Sequence, residues 1–220
     1  MIVNKLNIFS QNVCKNSLIV NSILKTHNDF DIILIQELPW SIIQLISSSA
    51  LSKGEVLVGA PYHPNWLSFA RPSPTQSNYP RVMAYINIRL SYFRFSLYRD
   101  IINYRDILLI FFFSNNVCYS IMNIYSDAFH STLKYLKDTK VKIDNLIIMT
   151  GNFNIRDSLW DPSFPHHSLI SNDLFIIADL FNLDLSIPTN TIPTRYLNTL
   201  GVSDLVLDLM FLHSDSSKLN

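Results

Sequence analysis

Apolar residues along this chain fall into short dense runs rather than strict alternation, and amphipathic stretches separate several of them. "KLNIFSQNV" (5–13) predicts a strand, and "KNSLIVNSILKTH" (15–27) predicts a helix with one apolar stripe. "DIILIQEL" (31–38) predicts a second strand, and "WSIIQLISSSALS" (40–52) a helix started by Pro39. Strand, helix and strand in that order make a layered α/β unit. The Pro- and Ser-rich segment 60–81 predicts a long surface loop. Strands are predicted at 82–88, 92–98, 106–113 and 117–125, with "SNN" (114–116) as the turn of a hairpin. A helix at about 128–139 follows, then the strand "NLIIMTGNF" (145–153). A helix at 171–183, capped by Ser171 or Asn172, and a last strand at 203–213 close the chain.

Composition narrows the class. The chain has 220 residues, 48% hydrophobic and 15% charged, enough to bury a sizeable core as one domain. Lys plus Arg and Asp plus Glu number 17 each, so no net field draws it to a polyanion, and nucleic-acid binding would need a local cluster. The longest apolar run, "ILLIFFF" (107–113), is far too short to cross a bilayer. The N-terminus has no basic start and no cleavage site, so a soluble, intracellular protein without a membrane partner is expected. Cys14 and Cys118 read as small apolar residues and not as a disulfide framework. No repeat and no low-complexity tract divides the chain.

The chemistry sits where apolar strands turn polar. Asn12, Glu37, Asn152 and Asn154 follow or end such runs, and Asp208 interrupts "LVLDLMF". A carboxylate there is costly unless a cation or donors meet it. Ligands gather at strand ends in layered α/β folds, so these residues point to one shared polar site. Each also has a bland reading as a cap or turn, and Glu37 and Asp208 fit that reading least. Oxygen donors of this kind suit Mg²⁺. The His166–His167 pair lacks zinc spacing. No P-loop, dinucleotide-binding glycine pattern or nucleophile elbow is present, and no small-molecule cofactor is expected.

In order along the chain, "QNV" (11–13), "DIILIQELPW" (31–40), "YHPNWLSF" (62–69), "PRVMAYI" (80–86), "NIYSD" (123–127), "TGNFNIRDSLWD" (150–161) and "SDLVLDLMFL" (203–212) resemble the endonuclease/exonuclease/phosphatase superfamily. The likeness is strongest to the endonuclease domain of non-LTR (LINE-type) retrotransposons, in particular those of fungi. It implies a four-layer α/β/β/α sandwich of two mixed sheets flanked by helices, with a site at one end. The resemblance makes Glu37 the main ligand of Mg²⁺ (or Mn²⁺), helped by Asn12. It puts Tyr125 at the scissile phosphate, has Asn154 orient phosphate and nucleophile, and has Asp208 support a histidine. Arg81 would reach the DNA backbone. The implied partner is DNA, in the nucleus if the target is genomic.

Two departures bear on activity. The family has Gly-Asp-Phe-Asn where this chain has Gly151, Asn152, Phe153 and Asn154, so the acid credited with activating water is an amide. The family's closing strand and Ser-Asp-His segment have no counterpart before Asn220, which reads as a domain lacking its last C-terminal strand. His213 follows the Asp208 strand directly and is a poor substitute. The expectation is an impaired, divalent-metal DNA endonuclease. The alternative is an inactive remnant that at most binds nucleic acid weakly; a small-molecule phosphatase fits the retrotransposon-like segments less well.

Overall fold

A computed structural model describes residues 6–39, 43–47, 55–71, 79–97, 101–161, 163–186 and 207–214. Expectations placed at residue 5, at 40–42, 48–52 and 72–78, at residue 98, and at 203–206 and 215–220 lie outside the described residues. The chain runs β1 (Ile8–Asn12), α1 (Ser17–Thr26), β2 (Ile32–Gln36), β3 (Gln44–Ser47), β4 (Glu55–Val58), β5 (Trp66–Ala70) and β6 (Val82–Asn87). A 3-10 helix at Ile88–Phe93 leads to β7 (Ser96–Leu97), β8 (Ile107–Ser114), β9 (Val117–Tyr125), α2 (Ser131–Thr139), β10 (Leu146–Asn152), α3 (Leu169–Leu180), β11 (Leu183–Leu185) and β12 (Asp208–His213).

Two mixed sheets carry the fold. One has the order β1-β2-β6-β5, the other β11-β12-β10-β9-β8-β7, and β3 with β4 forms a separate hairpin. The pairs β1–β2 and β9–β10 are parallel, while the neighbouring pairs in both sheets are antiparallel.

Three apolar layers separate the four structural ones. Val20, Ile23 and Leu24 of α1 pack on Ile33, Ile35, Met83 and Tyr85 of the first sheet. Ile32, Leu34, Ala84 and Ile86 face Leu108, Ile110, Phe112 and Ile121 between the sheets. Leu133 and Leu136 of α2, with Leu174 and Ile177 of α3, cover Leu109, Met122, Met149 and Phe211 on the outer face of the second sheet. Central strands are therefore buried on both faces, which is why "IILI" and "ILLIFF" are continuous apolar runs. Each fully buried aliphatic side chain contributes about 1.5–3 kcal/mol.

Several elements depart from the sequence expectation. Residues 44–47, expected in a helix, form β3 and pair with β4 in the register Leu45↔Leu57. The apolar pairs Ile42–Ile43 and Leu45–Ile46 satisfy either period, and the partner strand decides for β. Of the strand expected at 92–98, Ser96–Leu97 form β7, while Tyr92 and Phe93 close the 3-10 helix. Asn87 accepts a hydrogen bond from the Arg89 N–H at 3.2 Å to start it, and Leu90 and Phe93, three apart, bury its inner face. The expected loop at 60–81 contains the edge strand β5. The helix α3 begins after Ser168, so neither Ser171 nor Asn172 caps it. Ser171 instead turns inward, and its hydroxyl donates to buried Asp157 at 2.6 Å.

Candidate active site at one end of the sandwich

Strand register sets the site. Asn12, Gln36 and Val82 share one row across the first sheet, and Tyr125, Asn152 and Asp208 share one across the second. Side chains alternate along a strand, so Tyr125 faces the inter-sheet layer with Ile121 two pairs before it. Cross-strand neighbours share that face, which places Asn152 and Asp208 beside Tyr125. The space between the sheets thus changes character towards this end, from Ile32 and Leu34 to Gln36, and from Ile121 through Asn123 to Tyr125.

The first polar layer locks the sheets together. The amide of buried Gln36 donates to Ser10 Oγ at 3.0 Å and to Asn123 Oδ1 at 2.6 Å. Asn123 in turn donates to the carbonyls of Ile35 and Met83 at 3.1 and 3.0 Å. Buried amides linked in this way specify how the two sheets align.

Glu37 stands just beyond that layer, in a left-handed conformation with φ 50°. Such a backbone in a non-glycine residue costs about 1–3 kcal/mol and persists where its surroundings hold it. The Lys15 N–H donates to the Glu37 carbonyl at 2.9 Å, and the Tyr125 hydroxyl donates to Glu37 Oε1 at 2.5 Å. The contact joins the two sheets across 88 residues of sequence. Burial first, then the bond to Glu37 and its charge, raise the Tyr125 pKa well above that of an ordinary phenol. Tyr125 is therefore a hydrogen-bond donor here and not a base.

Asn12 Oδ1 accepts from the Cys14 N–H at 2.9 Å, a local turn that leaves a second lone pair on the oxygen. Asn154 is left-handed at φ 52°, and its amide donates to the Ser126 carbonyl at 2.6 Å, fixing the turn after β10. Asn152 is 3% exposed and its Oδ1 has no hydrogen-bond partner. Gly151 explains why the motif needs a glycine. Its φ is 149°, and a Cβ would lie 1.9 Å from the Ile124 carbonyl oxygen, so only glycine lets β10 close on β9. His213 ends β12 opposite Leu183, five residues from Asp208, roughly 17 Å along the strand.

Arg81, at the start of β6, is committed to carboxylates. Its Nε and one terminal nitrogen donate to both oxygens of Asp106 at 2.5 Å, and the latter nitrogen also meets Asp127 at 3.3 Å. Burial opposes its charge, but the bonds to Asp106 and that residue's charge hold the guanidinium pKa above its ordinary value. Its Cζ lies 4.5 Å from the centre of the Tyr125 ring, a cation–π contact.

Three members of this end escaped the sequence reading. Asp106 immediately precedes β8, and an acid next to the apolar run 107–113 is the same signal that marks Glu37. It went unused because β8 runs antiparallel and brings its amino end to the site. Asp127 accepts from the Ser131 N–H and hydroxyl and holds the loop after β9. His130 packs against the Asn152–Asn154 turn, 3.4 Å from Ser126 Oγ; burial lowers its pKa against the pull of Asp127.

The chain superposes on the endonuclease domain of TRAS1, a telomere-specific non-LTR retrotransposon, with TM-score 0.62 and 13% identity, covering 97% of this chain and 88% of that one. TDP2 of D. rerio, complexed with a single-strand DNA product, matches at TM-score 0.53 and 13% identity over 96% and 85%. An endonuclease/exonuclease/phosphatase family protein of Leptotrichia buccalis matches at 0.53 and 14% over 94% and 87%. No protein-family profile and no curated protein matches the chain by sequence. The chain has the endonuclease/exonuclease/phosphatase fold.

The donors at the site end of this fold suit a hard divalent cation. Among the described residues no group of three or more His, Cys, Asp or Glu gathers. Mg²⁺ does not require one, since it takes one or two carboxylates and keeps waters. Glu37 carries a carboxylate and Asn12 an amide oxygen with a free lone pair at this end, donors of the kind such a cation takes. Among the described residues no helix is long and apolar enough to cross a membrane.

Proposed function

We propose that the chain is a divalent-metal-dependent DNA endonuclease domain of the non-LTR retrotransposon type, slowed by Asn152, that nicks genomic DNA in the nucleus. The observation that carries this reading is the 2.5 Å contact between Tyr125 and Glu37 at the mouth between the sheets. It gathers a carboxylate and a phenol beside Asn12, Asn152 and Asp208, as phosphodiester hydrolysis requires. DNA as the substrate class is supported by the structurally similar TDP2, which was solved with a single-strand DNA product.

Glu37 and Asn12 would hold the cation, whose chemistry is to neutralise charge on the phosphate oxygens. Water adds to phosphorus and the P–O3′ bond breaks. The proton that water loses is balanced by the one gained at the departing 3′-oxygen. Tyr125, kept protonated, gives its single O–H to Glu37 Oε1 and so fixes the carboxylate that would hold the cation beside the phosphate. Asn154 shapes the turn beside it. Asn152 cannot accept a proton at neutral pH, and general-base assistance is worth roughly 10²–10⁴-fold.

Nicking of supercoiled plasmid in Mg²⁺ or Mn²⁺ tests the reading. Slow nicking is expected, with a fall of ~10²-fold or more in Glu37→Ala and a rise in Asn152→Asp. Nicking unchanged in Glu37→Ala would sink the metal assignment. The buried amide of Asn152 also favours a second reading, an inactive nucleic-acid-binding remnant. Absence of nicking in both the parent and Asn152→Asp, with DNA binding by fluorescence anisotropy, would establish that one.

A further inference from the structure

Arg81 and Asp106 lie outside the set that touches phosphate, yet they form the most heavily bonded ion pair at the site end. Asp106 is 0% exposed, and both its oxygens are taken by the Arg81 fork. The Asp106 carbonyl also accepts the Tyr125 N–H at 2.9 Å, and the Arg81 N–H donates to the Arg105 carbonyl at 3.2 Å. The same pair of strand ends is thus tied by backbone and side chain. Arg81 belongs to the first sheet and lies over a ring of the second, while the hydroxyl of that ring reaches back to Glu37 of the first. These contacts form a closed circuit: Asp106 to Arg81, Arg81 to the Tyr125 ring, Tyr125 to Glu37.

We propose that Arg81 and Asp106 are a positioning pair: Asp106 fixes the guanidinium, and the guanidinium, flat against the Tyr125 ring, holds the phenol on Glu37. Arg81 then serves the reaction through Tyr125 and not by contacting the DNA backbone. A phosphate contact would require the fork to give up two 2.5 Å bonds to a wholly buried carboxylate, whose other cation, Arg105, stands farther off at 3.6 Å. Asp127, the second acid on Arg81, strengthens this commitment and is itself anchored by Ser131. The catalytic part of the proposal rests on the nuclease reading above; the structural part does not.

The decisive substitution is Arg81→Lys. Lysine keeps the charge beside Asp106 but has neither the fork nor the flat face that stacks on an aromatic ring. An ion pair that only stabilises the fold would tolerate it. A positioning pair would not. In protein carrying ¹³C-tyrosine, with Tyr125 assigned by its loss in Tyr125→Phe, Arg81→Lys should speed the Tyr125 ring flip at least tenfold. The thermal midpoint should stay close to that of the parent. In the plasmid assay kcat should fall about tenfold with KM unchanged, because ring order and not DNA affinity is lost. The double variant Arg81→Met/Asp106→Leu removes both charges together, avoids leaving a buried acid alone, and should show the same ring release in a folded protein. An unaltered Tyr125 ring in both folded variants would overturn the proposal. So would a rise in KM at constant kcat, which marks Arg81 as a DNA contact. If the parent does not nick at all, the nuclease reading fails, and the ring-flip measurement still decides whether the pair positions Tyr125.

Discussion

Asp106 and Asp157 are both wholly buried, and they are satisfied in opposite ways. Asp157, in the loop after β10, takes its partners from its own neighbourhood. It accepts from the N–H groups of Leu159 and Ser168 at 2.9 and 2.8 Å and from the Ser171 hydroxyl at 2.6 Å, with the His167 ring at 2.7 Å. None of these is more than 14 residues away. Neighbouring Asp161 behaves likewise, bonded to Arg156 and Ser163. Asp106 instead gives both oxygens to the fork of Arg81, a cation 25 residues away on the other side of the inter-sheet layer, with neighbouring Arg105 as a longer second contact at 3.6 Å. An acid surrounded by local donors shapes a loop, whereas an acid answered by a distant cation aligns two sheets. The first kind makes a scaffold; the second reports a site.

The comparison breaks most severely at Arg81→Met. That change leaves the buried Asp106 charge with only Arg105, at 3.6 Å, among the described residues, and breaking a buried pair from one side costs at most about 3–5 kcal/mol. Urea denaturation at pH 7 should read this loss, and a loss below ~1 kcal/mol would mean that water reaches Asp106 after all.

Asp157→Ala should cost less, about 1–3 kcal/mol, because the donors it strands are neutral and several lie near the surface. Acid dependence sharpens the same contrast. Burial alone would raise the Asp157 pKa, but the Ser171 hydroxyl and the N–H groups of Ser168 and Leu159 outweigh it and hold the pKa below the ordinary value. A carboxylate depressed on folding contributes stability above its unfolded pKa, about 3.9, and loses that contribution as pH falls through the folded value. Stability curves from pH 6 down to pH 2 should therefore fall less steeply in Asp157→Asn than in the parent.

The smallest effect is expected at Lys137→Ala. Lys137 meets Asp173 between α2 and α3 at 2.6 Å, yet the two side chains are 44% and 31% exposed. A solvated pair of this kind is worth about 0–1 kcal/mol, and denaturation in 1 M salt should remove even that difference. A larger value would indicate that helix packing, and not the two buried acids, governs this sheet face.

Much of the architecture was legible in the chain. The strands and helices buried on one or two faces carry their burial in the spacing of apolar residues, as in "DIILIQEL" and "ILLIFFF". Glu37, Asn152 and Asp208 stood out because polar groups are expensive where apolar runs end. At 44–47 the helix expectation failed because the apolar pairs Ile42–Ile43 and Leu45–Ile46 satisfy two periods, and only the partner strand β4 decides between them. Asp106 was missed for a related reason: whether a strand's beginning or its end lies at a site depends on its direction in the sheet.

By itself, the sequence determined which residues must be buried, that the layers are mixed α and β, and that Asn152 cannot act as a base. Each follows from side-chain chemistry and local spacing. Only the tertiary structure decided that Tyr125 meets Glu37, that Gly151 is required by the Ile124 carbonyl, and that Arg81 faces Asp106 rather than solvent. Those outcomes depend on register and on the packing of one sheet against the other. Neither is encoded at any single position, because contacts across 25 to 88 residues exist only once both sheets have formed.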